Sequence, residues 1–93
     1  MNASALESAA AQIRSDRSDA CRGIGEHGLA WVWSHVDSNP NVGSMYVIVA
    51  LDAATGSLKT QNRRWCEGLG IDALARLDSV TEQQRELLNR GAR

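Results

Sequence analysis

Two apolar segments, residues 29–36 and 45–51, constrain the fold of this chain more than any other feature. They hold three of its four aromatic residues, and aromatic and β-branched residues dominate both, which is typical of β-strands. Apolar side chains occupy odd and even positions alike, so a strand of this kind needs cover on both faces. A chain of 93 residues has little material for two covering layers. The pattern therefore predicts that another subunit or a partner supplies part of the cover.

Three strands follow from these residue preferences, at 29–36, 45–51 and 57–62. A helix is the main alternative for the first of them. A loop rich in turn-forming residues separates the first two, and Gly56 can supply a positive φ for a tight turn before the third. The third alternates weakly between apolar and polar residues and carries Lys59, which suits a sheet edge. We therefore predict a three-stranded antiparallel meander with 45–51 in its centre.

Helical spacing is found at both ends of the chain. Apolar residues recur at the helical period from Leu6 to Ile24, and we expect this helix to stop near Gly23 or Gly25, because glycine accepts the conformation that ends helices. Near the other end, residues 63–67 and 71–77 have helical spacing on either side of a glycine pair.

A last helix is predicted by Ser79 and Glu82, which have the spacing of a capping box, and it should end near Gly91. The order of elements is then α-β-β-β-α-α. We expect residues 1–93 to form a single small α+β domain in which helices pack on the three-stranded sheet.

Composition excludes several classes of protein. Ten basic and eleven acidic side chains nearly balance, which is unlike a general nucleic-acid binder or an acidic nucleic-acid mimic. Two cysteines are too few for a disulfide framework, and the first residues lack the basic and apolar regions of a signal peptide. No apolar run approaches the ~20 residues that span a bilayer. We expect reduced thiols and a cytoplasmic protein that does not contact membranes.

No catalytic, cofactor or metal signature is found. The glycines of residues 23–28 match GxGxxG, but a helix precedes them and a strand-like run follows, the reverse of a phosphate-binding loop. A helix stop is the better interpretation.

Cys21, His27 and His35 lack the paired spacings of zinc sites. Cys66 or Cys21 with a histidine would be the nucleophilic pair of an enzyme, yet no elbow motif accompanies them. We predict no cofactor, no metal and no enzymatic activity.

Residues 59–65 are the best candidate for nucleic-acid contact. Lys59, Arg63 and Arg64 supply cations, and Trp65 could stack on a base. The alternative is a solvated strand end with Trp65 in the core. A helix-turn-helix comparison weakens because Arg76 falls where a buried aliphatic residue is needed.

The remaining cluster of interest is aromatic. Trp31, Trp33 and Tyr46 are either core residues or anchors of a contact face, with Arg63 and Arg64 as its charged rim. A self-complementary patch of this kind would also make a homodimer. The sequence resembles no known family. We predict a non-catalytic protein-binding module, an inhibitor or adaptor that acts by occluding a macromolecular partner, a class that includes phage and mobile-element inhibitors such as anti-CRISPR proteins. The alternative is a small dimeric nucleic-acid-binding transcriptional regulator.

Overall fold

The computed structural model describes residues 3–56 and 59–91, and every regular element in these two ranges is helical. These ranges contain six α-helices and two short 3₁₀ turns, Leu29–Trp31 and Leu77–Ser79. The helices are α1 (Ala3–His27), α2 (Val32–Ser38), α3 (Pro40–Gly43), α4 (Val47–Thr55), α5 (Lys59–Leu69) and α6 (Glu82–Gly91). The predicted α+β fold with a three-stranded antiparallel meander is therefore wrong.

The first predicted strand, 29–36, is a 3₁₀ turn that leads into α2. Its fully covered side chains are Leu29, Val32, Trp33 and Val36. These positions are i, i+3, i+4 and i+7, which is one face of a helix. Burial of that face outweighs the preference of valine and tryptophan for strands, because such preferences are worth only ~1 kcal/mol or less per residue.

The second predicted strand, 45–51, is mostly the first turns of α4. Val47, Ala50 and Leu51 are 0% exposed and Ile48 is 6% exposed, whereas Val49 is 40% exposed, so this helix is buried over most of its circumference and open on one side. The cover comes from the chain itself, because α1 packs along α4 and α5 packs against it. The apolar residues that a strand would present on two faces are thus covered mostly by the chain itself. Cover from a partner stays a prediction, for the side of α4 on which Val49 is exposed.

The third predicted strand is helical from residue 59, where α5 begins; residues 57 and 58 lie outside the described ranges. Asn62 links α5 to the end of α4. It is a buried polar side chain, and its amide donates to Asp52 Oδ1 and Thr55 Oγ1 of α4, both at 2.9 Å. Gly56 has φ 78° between the two helices, as predicted for a turn, although the turn joins helices rather than strands.

The long helix α1 confirms the N-terminal prediction but extends beyond both glycines expected to stop it. It ends before Gly28, which has φ 90°. Gly23 is needed for a different reason: a Cβ at this position would overlap the ring of Trp31. The glycine lets the first 3₁₀ turn lie directly against the helix.

The helix predicted at 71–77 is wrong, because this segment caps another helix. The carbonyl oxygens of Ala73 and Ala75 accept hydrogen bonds, both 2.9 Å, from the backbone N–H groups of Ile48 and Val47. These N–H groups belong to the first turn of α4, where a helix has no partners of its own. Tyr46 and Arg76 form an isolated antiparallel bridge beside them.

The last helix is confirmed, with a different cap. Thr81 Oγ1 accepts from the backbone N–H of Gln84 at 3.2 Å, and the Thr81 N–H donates to Gln84 Oε1 at 3.0 Å. This is a reciprocal capping box shifted two residues from the predicted Ser79 and Glu82. The helix ends at Gly91, where the backbone lies against the ring of Trp65.

The two halves of α1 have different surroundings. We call the described residues after α1, 28–56 and 59–91, the body. Ala20 and Ile24, in the C-terminal half of α1, are buried against the body. From residue 4 to residue 15 the side chains are exposed, apart from half-buried Ala10 and Ile13. A helix of 25 residues is about 37 Å long. The molecule measures 45 × 24 × 23 Å, so the N-terminal half of α1 extends along its long axis.

Candidate functional site

A surface cavity with apolar walls lies between α1 and the start of α4. It has a volume of about 320 Å³. We call it the groove, and it is lined by Arg17, Ser18, Cys21, Ser44, Met45, Tyr46 and Val49. Tyr46 is 50% exposed and Val49 is 40% exposed, although both are large apolar residues. Tyr46 is the N-cap residue of α4, and Val49 lies in the first turn of the helix, on the side turned away from the buried Val47, Ala50 and Leu51.

Hydrogen bonds hold Arg17 at one end of the groove. Its Nε donates to the carbonyl oxygen of Asn41 at 3.2 Å, and its Nη2 donates to Ser44 Oγ at 2.7 Å. Both partners belong to the segment that precedes α4. The groove thus combines apolar walls with one positioned cation, which suits an apolar side chain that has an acidic neighbour.

Asp16 fixes the same segment from the other side of α1. Its carboxylate accepts from Asn41 at 2.9 Å, from Gln12 at 2.6 Å and from Asn39 at 3.2 Å. These hydrogen bonds, strongest from Asn41, hold the pKa of Asp16 below its ordinary value of 3.8. The carboxylate is ionised at neutral pH, and its hydrogen bonds hold Asn39 and Asn41 in place next to the groove.

The surroundings of both cysteines favour the neutral thiol over the thiolate. Burial raises the pKa of Cys21, which forms part of the groove wall. Burial also raises the pKa of Cys66, and the nearby carboxylates of Asp52 and Asp72 add to this shift. A thiol is a much weaker nucleophile than a thiolate. The groove therefore offers a packing surface at Cys21 and not an activated sulfur.

Of the three aromatic residues predicted as a contact face, only Tyr46 lines the groove. Trp33 is 8% exposed, and its Nε1 donates to Asn89 Oδ1 at 2.8 Å. The guanidinium carbon of Arg85 lies 4.8 Å from the centre of the Trp33 ring. The same arginine forms a bidentate pair with Asp37, at 2.9 and 3.2 Å. The structure thus places Trp33 in the contact between α2 and α6.

Trp31 is half-buried and contacts two histidine rings. The ring of His27 stacks on it with centres 5.7 Å apart, and the ring of His35 is tilted against it with centres 4.0 Å apart. The ring also packs on Gly23 of α1. The exposed part of Trp31 borders a separate, more polar cavity of about 280 Å³ that it shares with Asp16 and other residues. It does not reach the groove.

The predicted nucleic-acid segment lies on α5. Arg63 and Arg64 are exposed, whereas Trp65 is half-buried with its ring against Gly91 of α6. The side chain of Lys59 lies outside the described part of the chain. The structure therefore does not bring Trp65 to the surface as an open stacking platform, and the two arginines do not border the groove.

The glycine-rich motif lies at the C-terminal end of α1. Gly23 and Gly25 lie inside α1, and Gly28 ends it, so GxGxxG corresponds to a helix end as the sequence indicated. Within the described ranges, no group of three His, Cys, Asp or Glu side chains is arranged to hold a metal ion. Among the helices of these ranges, none combines the length and apolar character that crossing a lipid bilayer requires.

No family model, curated protein or solved structure matches this chain. The functional argument therefore depends on the geometry of the groove. Sequence reasoning missed Val49, Cys21 and Arg17 as parts of it. Only Val49 had a signal in the sequence, since a helical interpretation of 45–51 turns it away from Val47, Ala50 and Leu51. The places of Cys21 and Arg17 depend on how α1 docks on the segment before α4.

Proposed function

We propose that this chain is a non-catalytic protein-binding domain, an inhibitor or adaptor that acts by occluding part of a protein partner. The observation that carries the proposal is the exposure of Tyr46 and Val49 on the wall of a groove whose end is marked by Arg17. Tyrosine and arginine are enriched at the energetic centres of protein interfaces. The proposal places this activity in the cytoplasm, in keeping with the two unpaired cysteines.

The dimensions of the groove support a particular mode of binding. A volume of about 320 Å³ is sufficient for one large apolar side chain of a partner. The guanidinium of Arg17 would pair with a carboxylate next to that side chain. Because the hydrogen bonds of Arg17 and Asp16 already order the groove, little conformational entropy is lost on binding.

The alternative, a nucleic-acid-binding regulator, has Arg63 and Arg64 on the surface of α5 as its support. Trp65 does not support this alternative, because its ring packs on Gly91 of α6. Binding that depends on several phosphate contacts would fall by orders of magnitude between low and moderate salt, whereas an apolar contact changes far less. This difference separates the two functions in one experiment.

The test is affinity capture from a lysate of the native cells, with and without nuclease, using wild type and the double variant Tyr46→Ser, Val49→Ser. Tyr46 is the N-cap residue of α4, and serine is a favoured N-cap, so this substitution should leave the helix intact. We expect one nuclease-resistant partner in near-stoichiometric amount with wild type. Recovery should fall at least about tenfold with the double variant, the loss expected for an anchor residue.

The matched control is Leu87→Ser, which removes a partly exposed apolar side chain from α6 instead. It should recover the partner as wild type does, and the melting temperatures of all variants should be compared alongside. Equal recovery by wild type and the groove variant would rule out the groove as the contact. Nuclease-sensitive recovery that is lost with Arg63→Ala and Arg64→Ala would establish the alternative function.

A further inference from the structure

A second surface, distinct from the groove, lies on the N-terminal half of α1. Leu6, Ala9, Ala10 and Ile13 fall within an arc of about 100° on an ideal helix, the width of an apolar stripe that normally faces a core. We call these four residues the stripe. Leu6 is 56% exposed. The stripe continues the face on which Ala20 and Ile24 are buried by the body, but among the described residues the cover there is incomplete: Leu6 and Ala9 are exposed, and Ala10 and Ile13 are only half-buried.

The charges beside the stripe are arranged for pairing with a copy of the same helix. Glu7 and Arg14 are seven residues apart and lie on the same flank of α1, about 20° from each other. In an antiparallel pair of helices related by a two-fold axis, equivalent flanks meet. With the axis between Ala10 and Ala11, Glu7 of each copy lies level with Arg14 of the other. Within the described residues, neither side chain takes part in an ion pair.

The apolar residues fit the same register. Leu6 of one copy falls between Ile13 and Arg17 of the other, and the small residues Ala9 and Ala10 meet at the crossing point. Small side chains there let the two helix axes approach closely. The larger side chains therefore interdigitate. A single position of the two-fold axis thus packs the apolar residues and pairs the opposite charges.

A parallel arrangement is blocked by the body. From Asp16 onward, the face of α1 that continues the stripe is occupied by the segment that precedes α4. Asp16 accepts from Asn39 and Asn41, and Arg17 donates to Ser44. Two parallel helices would bring both bodies into the same space. Antiparallel helices place the bodies at opposite ends, and the pairing is confined to the N-terminal halves.

We propose that two copies of this chain associate through the stripe, with the N-terminal halves of α1 packed antiparallel and Glu7 of each copy paired with Arg14 of the other. The partner of this surface is thus a second copy of the chain. The proposal does not depend on the groove, because Tyr46 and Val49 lie at the start of α4 and are not part of the stripe. The two surfaces adjoin only at Arg17, which lies at the end of the groove and beside Leu6 of the other copy.

The first experiment is sedimentation velocity over protein concentrations from micromolar to millimolar, on wild type, Leu6→Asp and Ser15→Asp. We expect wild type to shift from monomer to dimer with concentration and Leu6→Asp to remain monomeric. Ser15→Asp adds the same charge on the opposite face of α1 and should behave as wild type. Circular dichroism verifies that helix content is unchanged. A wild type that stays monomeric throughout, or a dimer that persists in Leu6→Asp, overturns the proposal.

The second experiment tests the register by exchanging charges. Glu7→Arg and Arg14→Glu each turn two attractive contacts into repulsive ones, and each should raise the dimer dissociation constant by about tenfold. The double variant restores opposite charges at both sites and should return the dissociation constant to near its wild-type value. Single variants that weaken the dimer without rescue in the double variant would contradict the antiparallel register. A groove variant, Tyr46→Ser, should leave the dimer unchanged.

Discussion

The two halves of α1 have the same apolar periodicity but different surroundings. Ile24, in the C-terminal half, is 0% exposed in the body. Ile13, three helical turns earlier on nearly the same face, is only partly covered, and Leu6 is 56% exposed. The comparison shows that an amphipathic pattern specifies a helix and one of its faces. What covers that face is decided by how the other helices pack against α1.

The strongest test of this comparison is the same substitution at two sites on one helix. Ile24→Ala removes fully buried methyl groups and should lower the free energy of unfolding by about 2–5 kcal/mol. Ile13→Ala should cost less than about 1 kcal/mol when measured at low micromolar concentration, because this side chain is only partly covered. Urea denaturation of both variants provides the measurement. Equal losses would show that the two halves are equally well packed.

A pair of glycines in the C-terminal half sharpens the comparison at the level of single contacts. A Cβ on Gly23 would overlap the ring of Trp31, so Gly23→Ala should cost about 1–3 kcal/mol through displacement of that ring. Gly25→Ala meets only the carbonyl oxygen of Ala53 at 3.6 Å, an ordinary contact. Because alanine is the better helix former, this variant should be neutral or more stable by up to about 1 kcal/mol.

Thermal unfolding followed by circular dichroism compares the two glycine variants directly. Tryptophan fluorescence gives a second readout, since displacement of Trp31 changes the environment of its ring. A Gly23→Ala variant as stable as Gly25→Ala would mean that the first 3₁₀ turn does not pack on α1 as described.

The smallest expected effect is a pH dependence of the body. A hydrogen bond from Arg85 holds the pKa of Asp37 below its ordinary value of 3.8. A carboxyl group whose pKa is lowered by folding stabilises the folded state above the pKa of the unfolded chain. That contribution is lost as the pH falls through the lower, folded value. The melting temperature should therefore decline on acidification below about pH 4.

Two variants assign this decline to the contact between α2 and α6. Asp37→Asn removes the titrating group, and Arg85→Gln removes the charge-assisted donor, so each should make the acid decline shallower. The double variant should show no further change, because both act on one pair. An undiminished decline in Asp37→Asn would assign the acid sensitivity to other carboxylates, with Asp16 the next to test, since hydrogen bonds also lower its pKa.

The two terminal helices could be predicted from the sequence because local periodicity there agrees with the final structure, although the expected stop at Gly23 or Gly25 and the expected cap at Ser79 were wrong. Apolar residues from Leu6 to Ile24 recur at the helical period, and Gly91 lies at the end of the last helix. The middle could not be predicted from residue preferences, which favour strands for valine and tryptophan. The decisive pattern at 29–36 was the i, i+3, i+4, i+7 spacing from Leu29 to Val36, which appears only when helical periodicity is weighed above propensity.

The candidate site was predictable only in part. Tyr46 was selected because tyrosine is a common interface residue, and it does line the groove. Trp33 was selected on the same grounds and lies in the core, where its N–H group reaches Asn89. The contribution of Arg17 depends on how α1 is docked, since its partners are 24 and 27 residues away in the chain. No local pattern contains that information.

The sequence by itself determined that this chain makes a long first helix, a last helix and a glycine turn at Gly56, because those choices depend on neighbouring residues. The tertiary structure alone decided that 29–36 and 45–51 are helices. Burying a helical face against α1 gains more free energy than the small strand preference of its residues. Tertiary packing likewise left one half of α1 uncovered and formed the groove, since both depend on contacts between residues far apart in the chain.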